Sequence, residues 1–336
     1  MSGRIAILGV AVAVSGCGAN APALHQVEPG ILAVETARGA MLEVLDWGGS
    51  GPPLVFLAGG GHTAHEFDEF APRLADRFRV IGITRRGVGA SRGSRALTAR
   101  DHVTDIARVL DALELDSVVL IGHSRGGLEA AQFAQAYPDR CEGIVHLDSA
   151  YLGGGDELVE ILRSTPPPQP APPTRADSAS ASAMRAWVEK TQGFLLPESE
   201  IVAVNRTAET GRILGRKPGD TSPRFDWFGK LPPPRWEAID CPALGLYAVT
   251  APLEMWLPHY TARHDSLSQD ERQRVGWYVE AFSAWTAERR EEFGRFPHNE
   301  VVEFPATGHY FFLEQPEQER ALDAIRQFVA RLQKEV

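Results

Sequence analysis

The chain has 336 residues, 43% of them hydrophobic and 23% charged, and a formal net charge of −10. That length suits one large α/β domain with an inserted subdomain and a sizeable core. The acidic balance argues against nucleic acid as the main partner, and no apolar run is long enough to span a bilayer. In chain order, alternating apolar residues predict strands at 31–37, 41–47, 53–58, 79–84, 117–122, 143–148, 243–249 and 300–304. The first two read as an antiparallel pair joined at Arg38-Gly39. Helical spacing near 65–76, 98–113, 126–137 and 316–333 alternates with the later strands. This predicts a mainly parallel eight-stranded sheet with helices on both faces, built from residues 31–150 and 241–336. The long stretch after the sixth strand, 151–240, reads as an inserted helical cap. It opens with Gly153-Gly154-Gly155, continues through the prolines of 166–173, and carries helical patterns at 178–192 and 197–214. A second excursion, 252–298, holds a long helix at 268–293, whose stripe of Val275, Tyr278, Val279, Phe282 and Trp285 reads as core packing.

The N-terminus has a different character. Arg4 precedes an apolar segment at 5–14, followed by Val14-Ser15-Gly16-Cys17. Residues 1–16 read as a secretory signal peptide. The ending resembles a bacterial lipobox, which implies a lipid anchor on Cys17 at a membrane surface, with residues 17–30 as a flexible tether. The alternative is an ordinary signal peptide cut near Ala21-Pro22-Ala23. Both imply export, to the periplasm or the cell surface. In that setting Cys141 and Cys241, each three residues before an apolar strand, read either as a disulfide or as two free thiols.

Gly122-His123-Ser124-Arg125-Gly126 lies between the β-branched run 117–121 and the helical stretch 128–137. A G-x-S-x-G turn in a strand–turn–helix setting lifts a serine hydroxyl off the end of a sheet, where a base can take its proton. The flanking glycines let strand and helix approach without Cβ clashes.

Four motifs together resemble the α/β-hydrolase superfamily from about residue 31 onward: this elbow, Leu57-Ala58-Gly59-Gly60-Gly61-His62 after the third strand, Thr84-Arg85-Arg86-Gly87-Val88-Gly89-Ala90-Ser91 after the fourth, and Pro305-Ala306-Thr307-Gly308-His309-Tyr310-Phe311 after the last. The resemblance implies Ser124 as nucleophile and His309 as base. The oxyanion donors would be the backbone amides of Arg125 and Gly60, with Gly61 next. His123 is expected to pack beneath the elbow, Arg86 to brace its loop, and His62, ahead of His65, to contact substrate. The acid departs from the family pattern, because Thr250 occupies its usual place after the seventh strand. Asp148, at the end of the sixth strand, is the preferred acid and Glu254 the alternative.

These expectations describe a serine hydrolase, carboxylesterase-like, acting through an acyl-enzyme without a metal or organic cofactor. A serine at 124 argues against haloalkane dehalogenase or epoxide hydrolase chemistry. C–C bond hydrolysis, amide hydrolysis and perhydrolysis remain open on the same fold, as does a non-catalytic membrane-tethered binding protein. Trp187, Phe194, Trp227, Phe228 and Trp236 suggest a partly apolar ester substrate, or packing among themselves.

Overall fold

A computed structural model describes residues 22–334, apart from 37–38, 94–97, 150–156, 158–159, 162–169, 218–233, 251–264 and 266. The predicted signal segment with Cys17, the run Gly153-Gly154-Gly155, the prolines of 166–168, Trp227, Phe228 and Glu254 lie outside the described residues.

The strands are β1 (Leu24–Glu28), β2 (Ile31–Glu35), β3 (Met41–Gly48), β4 (Pro53–Leu57), β5 (Arg79–Ile83), β6 (Val118–His123), β7 (Cys141–Leu147), β8 (Asn205–Thr207), β9 (Ile213–Arg216), β10 (Ala243–Thr250) and β11 (Asn299–Thr307). The helices are α1 (Ala99–Ala112), α2 (Arg125–Ala136), α3 (Ala181–Gln192), α4 (Glu198–Val204), α5 (Gln269–Gly294) and α6 (Glu317–Leu332). Nine strands form one sheet in the order β1-β2-β3-β5-β4-β6-β7-β10-β11, while β8 and β9 form a separate hairpin. Pairings from β1 to β5 along that order are antiparallel, and all the others are parallel.

The central strands are buried on both faces, as a parallel sheet with helices on either side requires. Along β6, Val118 and Leu120 enter the core shared with α1, α2 and α5, while Val119 and Ile121 enter the one shared with Phe67, Phe70 and α6. The stripe on α5 packs as expected: Val275, Tyr278 and Trp285 are buried, with Val279 and Phe282 half-buried against the same core. Capping boxes start α1 at Thr98 with Asp101 and α5 at Ser268 with Glu271.

Four details differ from the sequence reading. Leu24–Glu28, placed in the tether, is a ninth strand: Pro29-Gly30 turns the chain, with Gly30 at φ 76°, so that β1 pairs with the otherwise open edge of β2. The helix expected at 65–76 is two 3-10 turns, Ala64–Phe67 and Ala71–Leu74. Pro72 has no amide to donate and so breaks a continuous helix there. The helix expected at 197–214 stops at Val204, and a turn with Gly211 at φ 80° sends the chain back as the β8–β9 hairpin. Trp236, read as a cap aromatic, is buried in the main core, edge-on to His146 and Phe293.

The sulfurs of Cys141, the first residue of β7, and Cys241, two residues before β10, lie unbonded 3.6 Å apart. The glycines of the elbow are held by close backbone approach. A Cβ on Gly126 would lie 2.0 Å from the carbonyl oxygen of Leu57, and one on Gly122 would lie 2.3 Å from the amide nitrogen of Gly127. Backbone cannot move aside as a flexible side chain can. Gly126→Ala is therefore expected to lower the urea-unfolding free energy by about 3 kcal/mol or more, the upper range for overpacking. An unchanged midpoint would show that α2 can shift away from β4.

Candidate active site

Ser124 joins β6 to α2 with φ 49° and ψ −121°, a conformation rare for a residue with a side chain and one retained only when its surroundings enforce it. Its amide donates to Leu147 O at 3.1 Å, which fastens the elbow to the end of β7. The next residue of that strand end, Asp148, also has a positive φ, 48°. Its amide donates to Leu246 O at 2.8 Å and its Oδ1 accepts the Ala248 amide at 3.1 Å, so β10 grips the residue at backbone and side chain. Asp148 Oδ2 lies 2.6 Å from His309 Nδ1. A carboxylate only accepts, so Nδ1 donates and the lone pair of His309 lies on Nε2, across the ring. His309 stands on the loop after β11 with its side chain 31% exposed. Its ring centroid is 4.5 Å from that of His123, the residue preceding Ser124. Ser124 Oγ makes no hydrogen bond among the described residues. Thr250 is the last residue of β10.

His123 is wholly buried beneath the elbow, and both its nitrogens are engaged. Nε2 donates to the backbone carbonyl of His309 at 3.2 Å, and Nδ1 is 2.8 Å from Glu66 Oε1. Since Nε2 must carry a proton for that carbonyl, one further proton lies between Nδ1 and Glu66, and the pair is neutral as a whole. The other oxygen of Glu66 accepts the Gly59 amide at 2.9 Å. Among the described residues the Gly60 and Gly61 amides have no hydrogen-bond acceptor, and they face none of the demands that occupy Gly59. Arg125 is the first residue of α2, so its N–H belongs to the turn whose amides project from the helix N-terminus.

A second buried group braces the glycine loop. Arg85 donates to Glu129 at 2.7 and 2.8 Å, and to the carbonyls of Ala58 at 2.8 Å and Gly59 at 3.1 Å. Arg125 Nε reaches the same carboxylate at 3.0 Å. Burial alone would raise the pKa of Glu129, but Arg85, His102 and Arg125 outweigh it and hold the carboxyl at about 2. Arg86 pairs with buried Asp105 on α1 and so braces its loop.

His62, expected to contact substrate, is instead occupied on both sides. Nδ1 is 3.0 Å from Glu200 Oε1 on α4, and Nε2 is 3.1 Å from the Tyr310 hydroxyl. His65 bonds Asp68 at 2.7 Å; burial opposes its charge, but hydrogen bonds to Asp68 and Glu43 raise its pKa to about 10. No group of metal-ligating side chains occurs among the described residues.

Residues 52–198 match a family model for the alpha/beta hydrolase fold. The crystal structure of E-2-(acetamidomethylene)succinate hydrolase superposes with a TM-score of 0.59 at 22% identity, over 89% of this chain and 98% of that one. The chain has the α/β-hydrolase fold. In sequence it is 34% identical over 130 residues to the 2-(acetamidomethylene)succinate hydrolase of Mesorhizobium japonicum, covering 34% of this chain and 47% of that protein. It is 33% identical over 118 residues to the carbendazim hydrolyzing esterase of a Nocardioides species, covering 34% of this chain and 49% of that protein. The matches thus span about half the length of these curated relatives.

Three buried residues of this site escape sequence reading. Arg85 lies within a quoted loop and Glu66 four residues beyond one, neither with a motif of its own, and Glu200 sits 138 residues from His62 with nothing local to link them. Glu129→Gln leaves the buried guanidinium of Arg85 without its counter-charge, so unfolding at pH 7 is expected to cost about 3–5 kcal/mol less in the variant. The native carboxyl titrates near 2 instead of its ordinary 4.5. Its contribution is therefore complete above pH 4.5 and lost as pH falls toward 2. Denaturation series from pH 6 to about 2 should show wild type losing stability more steeply than Glu129→Gln; parallel curves would contradict this account.

Proposed function

We propose that the protein is a serine hydrolase acting on carboxylic esters, with Ser124, His309 and Asp148 as its triad. The observation that carries this reading is the 2.6 Å bond from His309 Nδ1 to Asp148, beside a serine held at φ 49°. With Nδ1 committed to Asp148, Nε2 is the nitrogen left to act as base.

Ser124 Oγ attacks the ester carbonyl carbon as His309 Nε2 takes its proton, and the carbonyl π electrons move onto oxygen. The amides of Gly60 and Arg125 receive that charge, with Gly61 as a further donor. The C–O bond to the alcohol then breaks, and His309 returns its proton to the leaving oxygen. Water, deprotonated by His309, attacks the acyl-enzyme. The second tetrahedral intermediate expels Ser124, which recovers its proton, and the acid leaves. Asp148 holds the imidazole in the required tautomer and stabilises its charged form. The missing Ser124–His309 contact is one expected to tighten only with substrate present.

Esterase activity is also what the Nocardioides relative's name describes. The reading needs no metal or organic cofactor, because both proton transfers use His309.

A fluorophosphonate probe should label wild type at Ser124 and fail to label Ser124→Ala, and a series of p-nitrophenyl esters of increasing chain length should be turned over. Asp148→Asn should lower kcat by about four orders of magnitude with little change in fold. Absence of labelling would overturn the serine-hydrolase reading. Labelling without turnover of any ester would move the substrate to another acyl or C–C bond. Near-normal kcat in Asp148→Asn would remove that residue from the triad.

A further inference from the structure

The glycine loop is held from two sides. The core side is the Glu66–Gly59 bond and the two carbonyls gripped by Arg85. The other side belongs to the segment between β7 and β10. From α4, Glu200 accepts the Thr63 amide at 3.2 and 3.3 Å, accepts the Thr63 hydroxyl, and pairs with His62 Nδ1. From β9, Arg216 donates to the Gly61 carbonyl at 2.7 Å. Gly60 and Gly61 lie between these two sets of anchors and have no side chains with which to hold themselves.

The same contacts run on to the loop of His309. His62 Nε2 meets the hydroxyl of Tyr310, the residue after His309, and Phe194 stacks on the Tyr310 ring at 3.9 Å and 18°. Glu200 therefore touches the glycine loop directly and the histidine loop through one imidazole. Its side chain is 0% exposed, and among the described residues the donors that compensate its desolvation are His62 and Thr63. Were α4 to lift away, Glu200 would regain water, while Thr63 and His62 would lose the partner that sets their orientation.

On the serine-hydrolase reading, we propose that Glu200 is a positioning residue. Seating of α4 through Glu200, and of β9 through Arg216, aims the Gly60 and Gly61 amides at the developing oxyanion. Docking of this segment and assembly of the oxyanion hole are then one event, and only a seated cap gives full turnover.

The test compares wild type with Glu200→Gln, Glu200→Asp and Arg216→Met, using kcat and KM on a short p-nitrophenyl ester and inhibition by a trifluoromethyl ketone, whose tetrahedral adduct needs the oxyanion donors. Losing one such donor costs about 100- to 1000-fold in kcat, so misaiming them in Glu200→Gln should cost about tenfold or more, with KM within threefold and ketone affinity falling in parallel. Glu200→Asp should recover part of both losses. Arg216 is exposed, so Arg216→Met should fold normally and show a smaller loss of about threefold or more in both readouts. Were Glu200→Gln to fail to fold, the Arg216→Met result decides. Folded variants with unchanged kcat and ketone affinity, or losses confined to KM, would overturn the proposal while fluorophosphonate labelling of Ser124 kept the hydrolase reading intact. A wild type unlabelled at Ser124 would remove both.

Discussion

The arrangement of the site depends on one short hydrogen bond between residues 161 positions apart, Asp148 Oδ2 and His309 Nδ1. Neither partner could be delivered to it by local structure. Asp148 is brought there because β7 lies between β6 and β10, so its strand end is next to the elbow and within reach of the Ala248 amide. His309 is brought there because β11 pairs with β10 on the other side. A parallel sheet places the C-terminal ends of its strands at one edge, and ligand sites of open α/β sheets form outside that edge.

Around that bond the protein buries a dense set of charges: Glu66, Arg85, Glu129 and Glu200 are all nearly or wholly buried. Each has its partners. Glu66 has His123 and the Gly59 amide, Arg85 has Glu129 and two carbonyls, and Glu200 has His62 and Thr63. Such groups add little to stability over apolar packing, but removing one partner leaves the other uncompensated in a medium of low polarity. Their common feature is that they fasten the glycine loop, which a run of three glycines cannot do for itself. These buried charges thus brace the segment whose amides the proposed mechanism needs preorganised.

Much of the sheet was legible because its signal is local. The apolar runs of β4, β5 and β6 report strands buried on both faces, and the elbow glycines report a backbone contact that excludes a Cβ. The elements that escaped are those decided by neighbours far along the chain. β1 is wholly exposed and has no alternation to reveal it; the free edge of β2 makes it a strand. The 204–216 region has enough apolar spacing for a helix, but Gly211 and pairing between β8 and β9 prevail. His62 looked available for substrate because the glycine loop says nothing of a carboxylate on α4.

By itself, the sequence determined the strand–helix alternation, the strained turn at Ser124 and the chemical types at the site, because periodicity and glycine placement act over a few residues. It also narrowed the acid to two carboxylates, once Thr250 took the usual position. Only the tertiary structure decided that Asp148 meets His309, that among the described residues the Gly59 amide is occupied while those of Gly60 and Gly61 are not, and that Glu200 holds His62 and Thr63 at the end of their loop. Those outcomes rest on which strand ends and loops become neighbours, and a hydrogen bond forms only between atoms that the whole fold has brought within about 3 Å.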